Sequence, residues 1–87
     1  MEIEKPMMNV EEIQRKILAG IPGSQVEVVD LTGTQDHFQA LVISAEFNGK
    51  TMVEQHQMVY RALGDLMREA IHALALKTYT PEQWKQA

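Results

Sequence analysis

The chain predicts an α+β fold: a sandwich with one three-stranded sheet and helices on one of its faces. Three observations predict it. Apolar residues recur at helical spacing in two long blocks, three other blocks read as strands, and the blocks follow one another as α-β-β-α-β-α. At 87 residues the chain suits one compact domain with a single modest core.

Each element has its own signal. Residues 1–8 lack periodicity and carry Pro6, so they read as a mobile lead-in to a single domain over 9–87. Asn9 is placed to cap a first helix, with Glu11 and Glu12 in its first turn, Val10, Ile13, Ile17 and Leu18 on its apolar side, and Gly20 and Pro22 as its stop. Val26 and Val28 mark a strand up to Asp30. After turn residues Thr32 to Asp36, His37 to Ala45 reads as a second strand, and so short a link makes the pair an antiparallel hairpin.

Asn48-Gly49 is a further turn, and Thr51-Met52-Val53-Glu54 has capping-box spacing. Val59, Leu63, Leu66, Met67 and Ala70 continue as one helical stripe, with a break expected near His56 that would divide the helix in two. Residues 71–79 read as a third strand. Thr80-Pro81-Glu82-Gln83 starts a last helix, on which Trp84 is expected to clamp the C-terminus to the body.

Composition narrows the chemistry. With no cysteine there is no disulfide, no thiolate nucleophile and no iron–sulfur cluster held by this chain's own thiolates. A net charge of −4 and a pI near 5.2 disfavour binding driven by phosphate contacts. The acidic, apolar-poor start is no secretory signal and no apolar run is long enough to span a bilayer, so a soluble cytoplasmic domain without membrane contact is expected. Ser24 and Ser44 are the only serines, neither in a nucleophile elbow, and no Gly-rich loop opens a helix. Asp36-His37 is no dyad, since neighbours on a strand face opposite ways. The expectation is a protein that is not an enzyme.

Three histidines remain: His37, His56 and His72. Read from the residues alone, His72, at the head of the apolar run 71–76, is either a satisfied core histidine or a ligand. His56 reads as a helix-start residue bonded to a nearby carbonyl or packed under the Asn48-Gly49 turn. Met58 and Met67 on the central helix read as core filling.

Two stretches go further. "DHFQALVISAEFNGKTMVEQHQMVYRAL" (36–63) has an aromatic-led strand, Phe-x-Gly and His-x-x-Val-Tyr, and "IHALALKTYTPEQW" (71–84) has a strand followed by Thr-Pro-x-x-Trp. In this order the motifs resemble the BolA family over nearly all of 10–85, and the short hairpin loop is most similar to its small bacterial, IbaG-like branch.

The resemblance implies a fold similar to a type II KH domain and a heterodimer with a monothiol glutaredoxin, bridged by a [2Fe-2S] cluster. The glutaredoxin supplies cysteine and glutathione; the BolA side supplies the strand histidine, here His72. A second ligand in many relatives comes from the hairpin loop, where this chain has no His or Cys; His37 is the candidate substitute, and the alternatives are a structural role for it beside Phe38 with a water, an outside ligand, or protein–protein contact without a cluster. Neutral imidazole is a competent iron ligand, and imidazolium is not. Lys50, His56, Arg61 and Tyr79 are the expected partner-binding residues, with Thr80 and Trp84 flanking the same surface. The isolated protein, a monomer or weak homodimer, is expected to hold no cluster.

Nucleic-acid binding is the rival reading, through a KH-like or helix-turn-helix-like surface serving transcriptional regulation. Relatives often carry Arg on both sides of the helix histidine, where this chain has Gln55 and Gln57. The Gly-x-x-Gly clamp of KH domains is reduced to Asn48-Gly49-Lys50-Thr51, and Lys50, Arg61 and Arg68 form a thin basic set.

Overall fold

Helix α1, Val10–Gly20, exists because Ile13 and Ile17 fall on one face and are fully buried, while acidic Glu11 and Glu12 occupy its first turn. The computed structural model describes residues 10–31, 33, 37–64, 66 and 73–86. The lead-in, the Asn9 cap, Met67, Arg68, Ala70 and His72 lie outside the described residues.

Strands β1 (Gln25–Asp30), β2 (His37–Ile43) and β3 (Ala73–Tyr79) form one sheet in that order. The first pair is antiparallel, from Gln25↔Ile43 to Asp30↔Phe38, as the hairpin chemistry predicts. The second pair is parallel, from His37↔Ala73 to Ile43↔Tyr79, so the chain between them must cross over the sheet. Side chains alternate across β2. Phe38, Ala40 and Val42 are buried on the helix side, and His37, Gln39 and Leu41 are half-buried on the other. The first helix and the helix over Met52–Leu63 therefore cover one face, and the core is Ile13, Ile17 and Ile21 against those strand residues and Phe47, Val59 and Leu63.

Two expectations about boundaries are corrected. Strand β2 stops at Ile43, because the Ser44 hydroxyl accepts from the Glu46 N–H at 3.0 Å and starts a 3-10 turn over Ala45–Phe47 that drives Phe47 into the core. Helix α2, Met52–Leu63, runs unbroken through His56 and ends at Gly64, which takes φ +59 while its N–H reaches the Tyr60 carbonyl at 2.9 Å. The helical stripe is thus divided at Gly64 and not at His56; beyond it, Leu66 still packs against the core.

Both capping boxes form. Thr51 Oγ1 accepts from the Glu54 N–H at 3.1 Å and Glu54 accepts from the Thr51 N–H at 2.8 Å. Thr80 and Gln83 exchange the same pair of bonds at 3.0 and 2.9 Å to start α3, Pro81–Gln86. Gly20 does more than stop α1: a Cβ built on it would lie 2.5 Å from that of Ala62, so α1 and α2 touch where a methyl group is already too large. Gln14 fastens α1 to the sheet by donating to the Val26 carbonyl at 2.9 Å. Among the described residues no helix is long and apolar enough to cross a membrane.

Candidate functional site

Of the candidate ligands, His37 belongs to the end of the sheet where β2 and β3 begin. His37 opens β2, half-buried on the face away from the helices, and its register partner is Ala73, the residue that follows His72 in sequence. Its carbonyl accepts from the Leu31 N–H at 2.9 Å, which closes the hairpin over the turn where Gly33 N–H bonds to Asp30 Oδ1. His72 and Asp36 lie outside the described residues. Among the described residues no three His, Cys, Asp or Glu side chains gather in a way that could hold a metal ion. Any donor set built here from imidazole needs thiolate from elsewhere, since the chain has no cysteine.

The expected partner-binding residues do not form one patch around that end. Tyr79 closes β3 six residues beyond Ala73, a run of about 20 Å in an extended strand. Tyr79, Thr80 and Trp84 therefore mark the far end of β3, one strand length from the His37 end. Lys50 belongs with the far end, because its carbonyl accepts from Gln55, which in turn meets Thr78. Arg61 is exposed in the last turn of α2, eleven residues from Lys50.

Trp84 packs on Tyr79 with ring centroids 5.4 Å apart, which makes it a clamp; it stays 44% exposed and lines a cavity of about 210 Å³ with Gln25, Glu27, Leu41 and Ile43 on the uncovered sheet face. His56 turns a ring edge to Tyr60 at 6.4 Å, and among the described residues its buried Nε2 has no hydrogen-bond partner. Among the described residues that nitrogen bonds no carbonyl, so any such bond is not made through Nε2. Met58 packs against the core as expected, while Met52 is 60% exposed and takes a 3.8 Å contact from the Thr78 hydroxyl.

Gln55 is the residue that reading the sequence misses. Weighed there as a missing phosphate-binding cation, it is only 4% exposed. Its Nε2 donates to the carbonyls of Lys50 at 3.0 Å and Phe47 at 3.5 Å, and its Oε1 accepts from Thr78 Oγ1 at 2.6 Å. Position 55 thus faces inward and says nothing about surface charge; Gln57, which is exposed, is the informative one of the two. The signal was available, because Gln55 stands four and eight residues before Val59 and Leu63 on the buried stripe.

Residues 13–83 match the family model described as BolA-like protein. The chain is 34% identical over 86 residues to the DNA-binding transcriptional regulator BolA of Escherichia coli, across 91% of this chain and 82% of that protein. A BolA homologue from Coxiella burnetii superposes with a TM-score of 0.78 at 39% identity, covering 91% of this chain and 99% of that one. The BolA domain of SufE1 from Arabidopsis thaliana gives 0.73 at 27% identity, covering 83% and 91%.

Proposed function

From the premise that this chain belongs to the BolA family, we propose that it is an adaptor that docks on a monothiol glutaredoxin and helps to hold, transfer or sense a bridging [2Fe-2S] cluster. His72 is the proposed ligand from this side, and His37 the second. The observation that supports the reading is the parallel pairing of His37 with Ala73, which sets the start of β2 beside the residue that follows His72 in sequence. The donor chemistry agrees: a chain with three histidines and no cysteine can supply imidazole to a cluster whose thiolates come from a partner. When bound, the cluster supplies two irons open to ligand exchange. This chain's imidazoles must be neutral to coordinate, so acid should weaken the assembly. Lys50 and Tyr79, at the far end of β3, are then docking residues well removed from the iron.

A second reading, nucleic-acid binding, is favoured by the likeness to the DNA-binding transcriptional regulator BolA of Escherichia coli. The exposed, uncharged Gln57 and the net charge of −4 count against it.

The test is a titration of cluster-loaded monothiol glutaredoxin followed by visible circular dichroism. Wild type should change the cluster spectrum, His72→Ala should not, and His37→Ala should give an intermediate result. A complex by size exclusion with an unchanged spectrum would leave docking without ligation. No complex at all would put nucleic-acid binding first.

A further inference from the structure

We propose that Asn48-Gly49 is a site of spontaneous covalent modification, at which the Asn48 amide is lost to give aspartate and isoaspartate. The chain has two asparagines: Asn9 is followed by the β-branched Val10, and Asn48 by glycine. The reaction needs only water. The Gly49 backbone nitrogen attacks Asn48 Cγ as its proton is removed, a five-membered imide closes, and the Cγ–Nδ2 bond breaks to release ammonia. Water then opens the imide at either carbonyl, leaving a normal or a β-linked aspartyl residue. One water is consumed and one ammonia released, with no change of oxidation state.

The turn exposes what the reaction uses. Asn48, Gly49 and Lys50 are all exposed. On either side of Gly49 the main-chain N–H groups are engaged, Asn48 to the Ala45 carbonyl and Lys50 to that of Phe47, both near 3 Å. Among the described residues the Gly49 N–H donates to none. Gly49 takes φ +78, and apart from its two chain neighbours no atom lies within 4 Å of where a Cβ would stand, so the turn is open on that side.

One feature opposes ring closure. Asn48 has ψ 132, which turns the Gly49 nitrogen away from the side-chain carbon. The peptide must rotate, and it does so against the grip of Gln55 on the Phe47 and Lys50 carbonyls. The rate of amide loss therefore reports how often this turn opens. The product carries a new carboxylate beside Lys50. In its isoaspartyl form it also has an extra backbone carbon between buried Phe47 and the Thr51 cap.

Folded wild-type protein is held at mildly alkaline pH, and its peptides are mapped by mass spectrometry with enzymatic methyl labelling of isoaspartate. Conversion at Asn48 is expected to run about tenfold or more faster than at Asn9, following the freedom of the glycine peptide, and to disappear in Asn48→Ser at an unchanged far-ultraviolet dichroism spectrum. The proposal is overturned if Asn48 keeps its amide in the folded protein over the time in which the urea-unfolded chain loses it.

Discussion

At its C-terminal end, strand β3 is fastened by side chains: Thr78 donates to Gln55, Gln55 holds two turn carbonyls, and Thr80 begins a capping box. At its N-terminal end, the described fastening is main-chain pairing of Ala73 with His37, beside a hairpin closed by the Leu31–His37 bond. Buried side-chain networks are costly to break and set a unique geometry. The contrast puts the side-chain network at one end of the strand and the proposed ligand chemistry at the other, some 20 Å apart by strand rise.

Substitutions can break this contrast, and the largest effect should come from the rigid end. Phe47→Ala empties a fully buried site at the turn that Gln55 grips, and should destabilise by about 3–5 kcal/mol in urea melts. Gln55→Ala should cost about 2 kcal/mol, since it removes the acceptor of the Thr78 hydroxyl and the side-chain donor to the Lys50 carbonyl. It should also raise hydrogen exchange at Lys50; unchanged exchange there would show that the clasp does not hold the turn. Thr51→Ala removes one half of a capping box, for a loss of about 1 kcal/mol. His37→Ala should cost about 1 kcal/mol or less, yet alter the cluster spectrum in the glutaredoxin titration. A large loss of stability with an unaltered spectrum would make His37 a structural residue and dissolve the contrast.

Local chemistry made much of this architecture legible in the chain. Thr51 with Glu54, and Thr80 with Gln83, announce their helices because a capping box needs only four consecutive residues. The hairpin is equally local. What escaped depends on partners distant in sequence. Gly20 reads as a helix stop, but its closest neighbour is Ala62. Gln55 reads as a surface residue, although its place on the Val59–Leu63 stripe buries it against Thr78. The end of β2 escaped for another reason: Ser44 suits a strand by composition, and only its capping geometry shows that it ends one. Of the site, His37 stands where the motif suggests, whereas the separation of Tyr79 and Trp84 from it follows from the length of β3.

The parallel pairing of β2 with β3 has a kinetic consequence. His37 and Ala73 are neighbours in the sheet and 36 residues apart in the chain, whereas the hairpin closes over a short turn. Helix α1 and the hairpin can form from nearby residues. The His37–Ala73 contact must wait for α2 to fold across the sheet, because distant loops close late. A chain still emerging from synthesis would thus have a hairpin and a first helix before it had any paired end of β3, so competence for the partner would arrive last, with the completed sheet.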